Sequence, residues 1–155
     1  LQGIVSFGNT HTKNVMRNRT DVFALDESLP FKDIIPQVIE HGYSRIPCYK
    51  ESIDQITGVL YVKDLLPYID RKNYEWRKLL REAYFVPENK KLDDLLQEFQ
   101  EKKKHIAIVV DEYGGTSGLI SLEDIIEEIV GDISDEFDEE ESWTIIITFL
   151  KVKRN

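Results

Sequence analysis

One feature constrains this chain more than any other: its two halves match position for position at a nearly constant spacing. Phe31 answers to Leu92, Asp33 to Asp94 and Ser44 to His105, each 61 residues apart. Gly58 answers to Gly118 and Asp64 to Asp124, each 60 apart. Loss of one residue from the second hairpin turn accounts for the change, so the pattern is an internal duplication.

Each half reads strand, helix, strand, strand, helix. In the first, Val22 to Leu25 is a short apolar run, and Phe31, Ile34, Ile35, Val38 and Ile39 mark one helix face ending at His41-Gly42. Pro36 lies inside that helix and predicts a kink or a late start. Tyr43 to Tyr49 reads as a strand whose Pro47 lacks a ladder donor, which points to a sheet edge or a local break. Glu51 to Gln55 reads as a turn, Ile56 to Tyr61 as a strand, and Val62, Leu65, Leu66 and Ile69 as a helix shortened by Pro67.

In the second half, Tyr84 to Val86 is a strand and Leu92, Leu95, Leu96 and Phe99 mark a helix. Two β-branched runs, Ile106 to Val110 and Thr116 to Ile120, then flank the turn signal Gly114-Gly115. Leu122, Ile125, Ile126, Ile129 and Val130 recur at helical spacing, with Ser121 as the natural N-cap. Between the halves, Asp70 to Arg81 is a charged connector anchored by Trp76, Leu79 and Leu80. Before them, Leu1 to Asn9 has the pattern of a short amphipathic helix, Thr12 to Met16 of one further turn, and Asn18 to Asp21 of a loop.

A unit of about 60 residues buries only ~60% of its unfolded surface and is marginal alone. Two units packed sheet to sheet share a core, and their pseudo-twofold axis creates two related crevices beside strand-to-helix junctions. The expected fold is therefore mixed α/β (α+β), with two β-α-β-β-α repeats. The divisions are 1–15 as an upstream linker, 16–70 and 83–133 as the repeats, 71–82 as the connector, and 134–155 as an acidic linker and tail.

The net charge of -9 on 155 residues excludes a basic nucleic-acid-binding surface as the dominant feature. No apolar run approaches the ~20 residues needed to span a bilayer. One cysteine, Cys48, excludes an internal disulfide, and its place in an apolar strand favours packing over nucleophilic chemistry. His11, His41 and His105 show no ligand spacing with one another or with Cys48, and no metal site is assigned. Neither a phosphate-binding glycine loop with lysine, nor a nucleophile elbow, nor a metalloprotease helix is present, which argues for a binding module and against an enzyme. The acidic residues from Asp132 to Glu141 read first as a solvated segment and second as a divalent-cation sensor.

The chemically suggestive pair is Ser121 and Asp124, a hydroxyl and a carboxylate three residues apart at a helix start. One reading is a capping box, each side chain satisfying a backbone donor of the first turn. The other is a sugar-phosphate site: helix-start amides favour phosphate and a carboxylate accepts from two ribose hydroxyls. Both stand at the level of sequence.

The quoted stretches carry a resemblance. Two strand-helix-strand-strand-helix units, the second closed by Gly118-Leu119-Ile120-Ser121-Leu122-Glu123-Asp124, resemble a tandem pair of cystathionine β-synthase (CBS) domains, or Bateman module. Met16 to Val22, Gly42 to Pro47, Gly58 to Leu66 and Asp111 to Gly131 are similar to the CorC/hemolysin C family of magnesium and cobalt efflux proteins, a group that includes gliding-motility proteins. The resemblance covers roughly Met16 to Glu140.

It implies a module at the cytoplasmic face of the bacterial inner membrane, following a membrane domain and preceding a small C-terminal domain. It further implies a homodimer that binds ATP or another adenine nucleotide; beside so acidic a chain magnesium is expected to neutralise the phosphates, and the net charge predicts no nucleic-acid partner. Carried over by position, Ser121 and Asp124 hold phosphate and ribose, Arg45 reaches the phosphates, Tyr43 and Pro47 line the base or its approach, and Leu119 packs on adenine. Arg17 stands where the family has threonine before proline and is followed here by Asn18; it is assigned to the phosphate end. In the first repeat Tyr61 replaces the hydroxyl residue before Asp64, so one working site is expected, in the second. Apolar helix positions at Leu65-Leu66 and Ile125-Ile126 suit dimerisation, and a nucleotide-free dimerisation scaffold is the alternative function.

Overall fold

The computed structural model describes residues 8–134. Most of the helix expected at residues 1–9, and nearly all of the acidic linker and tail expected over 134–155, lie outside the described residues.

The sheet pairings reproduce the duplication. In the first repeat β2 (Leu25–Asp26) runs parallel to β3 (Arg45–Lys50), Leu25 opposite Cys48, and β3 runs antiparallel to β4 (Ser52–Tyr61), Arg45 opposite Tyr61 and Cys48 opposite Gly58. In the second, β5 (Phe85–Pro87) is parallel to β6 (Ile106–Val110), Val86 opposite Val109. β6 is antiparallel to β7 (Thr116–Ser121), Ile106 opposite Ser121 and Val109 opposite Gly118. Those partners are what the spacing of 61 before the hairpin turn and 60 after it requires.

Helices α1 (Phe31–His41) and α2 (Leu92–Lys102) precede the hairpins, and α3 (Leu122–Ser134) follows the second. Each repeat has its own core. Leu25, Phe31, Ile34, Val38, Ile46, Cys48, Leu60 and Leu65 form one, completed by Tyr74 and Trp76 from the connector. Val86, Leu92, Leu95, Leu96, Phe99, Ala107, Val109, Ile120, Ile125 and Ile129 form the other. Fully burying one such aliphatic side chain contributes about 1.5–3 kcal/mol. The Trp76 indole N–H also donates to the Leu29 carbonyl at 2.7 Å, which ties the connector to the first repeat.

The two repeats meet through an exchanged strand and a polar clasp. The segment Asn18–Asp21, expected as a loop, is part of a two-residue strand β1 (Arg17–Asn18) and a turn of 3-10 helix (Arg19–Asp21). β1 pairs with β7, giving the second repeat a four-stranded sheet in the order β1-β7-β6-β5. Arg17 and Asn18, which fall in the first repeat by sequence, thus pair in the sheet of the second. Nearby, Arg19 Nη1 donates to Asp54 at 2.7 Å and to the Thr116 carbonyl at 2.9 Å, and the Thr116 amide donates to Asp54 at 3.0 Å. Asp54 lies on β4, so one carboxylate holds β4, β7 and the entry segment together, and its own pKa is lowered mainly by the Arg19 hydrogen bond.

Four local expectations are corrected. The hairpin turn is tighter than Glu51–Gln55: Lys50 faces Ser52 across Glu51 alone, which adopts φ +68°, and irregular register over Cys48–Lys50 absorbs the extra β4 residues. Pro47 is buried on the central strand of the order β2-β3-β4, not at an edge. It is tolerated because Val59, opposite it, exchanges both backbone bonds with Arg81 at 2.9 Å, so the missing donor faces the other side, one residue before β2 begins pairing. The helix after β4 is a 3-10 helix, Val62–Tyr68, with Pro67 inside it. α1 begins at Phe31, with Pro30 at its N-cap, and continues past Pro36, so the start is not delayed.

Candidate nucleotide-binding crevice

The site begins at Gly118. A Cβ there would lie 2.2 Å from the Arg17 carbonyl oxygen, so only glycine lets β1 cross β7 this closely. The crossing brings Arg17 opposite Leu119 and over the end of β7. From the first repeat, α1 stops at Gly42, which takes φ +70° and returns its amide to the Val38 carbonyl at 3.1 Å. That left-handed residue turns Tyr43, Ser44 and Arg45 toward the junction of β7 and α3.

The result is a cavity of about 280 Å³ lined by Arg17, Gly42, Tyr43, Ser44, Arg45, Ile106, Leu119, Ser121, Glu123 and Asp124. Of the seven residues named from sequence, Arg17, Tyr43, Arg45, Leu119, Ser121 and Asp124 are brought together here. Pro47 is not; it is buried within the first sheet and does not line the cavity. Ile106, Glu123, Gly42 and Ser44 went unremarked as lining residues. The spacing of 61 offered a signal for Ile106, the counterpart of Arg45, while Glu123 needed only the step inward from Ser121 and Asp124.

The capping box is formed: the Asp124 amide donates to Ser121 Oγ at 3.0 Å, and the Ser121 amide donates to Asp124 Oδ2 at 3.0 Å. The two readings of the pair coexist, since both residues also line the cavity. Arg17 Nη1 donates to the Tyr43 hydroxyl at 3.3 Å, with the guanidinium 5.7 Å from the ring centroid. Arg45 has its guanidinium carbon 5.3 Å from the Tyr61 ring centroid, and its Nε is buried with no hydrogen-bond partner among the described residues. His105, one residue before β6, has its pKa lowered by burial and by the charges of Arg45 and Lys63, against an opposing pull from Glu123.

The chemistry of this lining fits a nucleotide. Leu119 and Ile106 offer apolar surface, Asp124 an acceptor for sugar hydroxyls, and Ser121, Arg17 and Arg45 donors for phosphate. Cys48 is not available for chemistry: it is buried, and burial pushes its thiol up to about 12.

At the corresponding junction of the first repeat the carboxylate is taken by the chain itself. Arg81 pairs with Val59 as Arg17 pairs with Leu119, and Gly58 permits it as Gly118 permits the other, a Cβ there lying 2.8 Å from the Arg81 carbonyl oxygen. From that place the Arg81 guanidinium grips Asp64 with two bonds of 3.0 Å and stacks 4.0 Å from the Tyr61 ring centroid. The carboxylate equivalent to Asp124 already has a cation.

Among the described residues, no group of three or more His, Cys, Asp or Glu side chains is placed to hold a metal ion, and no helix is long and apolar enough to cross a membrane.

Comparison with known proteins places these features. The sequence profile of the CBS domain matches residues 13–71 and 77–131. The magnesium and cobalt efflux protein CorC of Escherichia coli K12 is 40% identical over 143 residues, covering 91% of this chain and 49% of that protein. Hemolysin C of Brachyspira hyodysenteriae is 46% identical over 141 residues, covering 91% of this chain and 52% of that protein. The chain thus spans about half the length of these relatives. Among solved structures, the CBS domain of a bacterial CNNM/CorC family Mg2+ transporter in complex with ATP superimposes with a TM-score of 0.79 at 42% identity, covering 84% of this chain and 94% of that one.

Proposed function

The chain belongs to the CBS-domain family, in the branch of CorC and hemolysin C, and on that premise we propose that it is a regulatory module that binds an adenine nucleotide in the crevice of its second repeat. The ligand is ATP, with magnesium neutralising its phosphates. The module has no catalytic role. Binding biases the geometry of a homodimer, and the dimer passes that bias to a membrane domain and a small C-terminal domain of the longer protein, at the cytoplasmic face of the inner membrane. Such control requires that nucleotide bind two arrangements of the dimer with different affinity.

The single observation that carries this reading is the convergence of Arg17, Arg45, Ser121 and Asp124 on one cavity with Leu119 and Tyr43. The ATP complex of a close structural neighbour supports the ligand class. For dimerisation, the first repeat offers apolar surface at Ile39 on α1, at Leu66, 63% exposed, on the 3-10 helix, and at Ile69 just after that helix; Leu65 and Ile125, expected at an interface, are core residues. A nucleotide-free scaffold remains the alternative because of that same surface.

A melting scan with ATP, ADP and AMP, with and without magnesium, separates the two. A ligand at a hundredfold excess over its dissociation constant stabilises the folded state by about 2.7 kcal/mol. Asp124→Asn keeps an oxygen for the capping bond and removes the charge, so it is expected to fold and to lose the shift. No shift with any nucleotide in the unaltered chain favours the scaffold.

A further inference from the structure

We infer that the nucleotide's outer phosphates leave the second-repeat crevice and enter the neighbouring cavity of the first repeat, where Lys63 with Arg45 reads them and sets a preference for tri- over monophosphate. This inference rests on the nucleotide reading above and assigns a subsite and a specificity residue to it.

A second cavity of about 430 Å³ is lined by Val38, Ile39, Gly42, Tyr43, Ser44, Arg45, Tyr61, Val62 and Lys63. Gly42 to Arg45 also line the first cavity, so the two share that segment as a wall. Duplication makes their chemistry comparable residue by residue. Ile106, Ser121 and Glu123 of the first cavity have as counterparts Arg45, Tyr61 and Lys63 of the second, fixed by the matched pairs Ile106–Ser121 and Arg45–Tyr61. An apolar residue has become a cation, and an acid has become a base.

The first cavity thus keeps the groups suited to a nucleoside, while the second has exchanged them for positive charge. That charge is not held in an ion pair among the described residues, although Glu123 lines the first cavity with Arg45 and acts with both cations on His105. Asp64, the acid at this junction, is held by Arg81, and neither Arg45 nor Lys63 forms an ion pair among the described residues. The Arg45 Nε, buried and without a partner, lies at the shared wall. His105 senses both cations, which lower its pKa after burial has done so. A phosphate chain crossing at Arg45 would satisfy these donors and reverse the field at the imidazole.

Calorimetry with ATP and AMP, in magnesium, on the unaltered chain and on Lys63→Gln tests this. The unaltered chain is expected to bind ATP more tightly than AMP. Lys63→Gln, at an exposed side chain, is expected to weaken ATP roughly tenfold, as for loss of one charge-assisted bond. AMP should stay within about twofold, because its phosphate remains in the first cavity. An NMR titration gives a readout that packing alone would not move: ATP should raise the His105 pKa and AMP should not. Equal weakening of both nucleotides, unchanged ATP affinity, or an unmoved His105 overturns the subsite while leaving the nucleotide reading standing. Failure of the unaltered chain to bind either nucleotide overturns both.

Discussion

The two crevices are built from one plan and differ in what crosses their mouths. Over β7 lies Arg17, whose guanidinium turns to Tyr43 and leaves Asp124 lining a cavity. Beside β4 lies Arg81, whose guanidinium takes both oxygens of Asp64 and covers Tyr61. Duplication supplied a carboxylate at both junctions, and the crossing arginine occupies one of them and leaves the other lining a cavity. A hydroxyl in one copy and a phenol in the other complete the divergence.

The crossing itself is where the comparison breaks most easily. Gly118→Ala sets a Cβ against the Arg17 carbonyl at 2.2 Å, whereas Gly58→Ala meets the Arg81 carbonyl at 2.8 Å. Overpacking of this kind typically costs about 1–3 kcal/mol, and the Gly118 variant is expected at or above the top of that range. Urea unfolding of the two variants should rank them in that order, and the Gly118 variant should also lose nucleotide binding by displacing Arg17. Equal stability losses would show that β1 shifts without consequence.

The helix ends offer a smaller contrast in the opposite sense. Gly42 and Lys103 occupy equivalent positions after α1 and α2, and both are left-handed, at φ +70° and +55°. A left-handed conformation costs an ordinary residue roughly 1–2 kcal/mol, and glycine escapes most of this. Lys103→Gly is therefore expected to stabilise the second repeat by about 1 kcal/mol, less the added flexibility of the unfolded chain. A thermal scan that shows no gain would place the strain elsewhere.

The clasp between repeats gives the smallest effect, and its sign follows from linkage. The hydrogen bond from Arg19, then that from the Thr116 amide, lowers the Asp54 pKa in the folded state. Its contribution is present above the carboxyl's unfolded value and is lost as pH falls through the folded one. Asp54→Asn should lower the melting temperature slightly near neutrality, and the gap from the unaltered chain should close in acid. A gap independent of pH would mean that the charge of Asp54 does not matter.

How much of this was legible in the sequence depends on whether local pattern or distant approach decided it. The repeat spacing carries over to the strand partners, because equal chain lengths between strands impose equal registers. Asn18 gave no such signal: β1 exists only because Gly118 admits it, and a two-residue strand has no periodicity. Pro47 misled because its missing donor was read without knowing which side of the strand Arg81 occupies. Arg81 itself looked like one more charge in a charged connector, although Gly58 at the spacing of Gly118 marked the place it crosses.

The asymmetry of the crevices is tested most directly by the stoichiometry of ATP in calorimetry, measured on the unaltered chain, Asp124→Asn and Asp64→Asn. One ATP per chain is expected, lost with Asp124→Asn and kept with Asp64→Asn. Two ATP per chain, or binding that survives Asp124→Asn and fails with Asp64→Asn, would contradict the assignment of the open crevice to the second repeat.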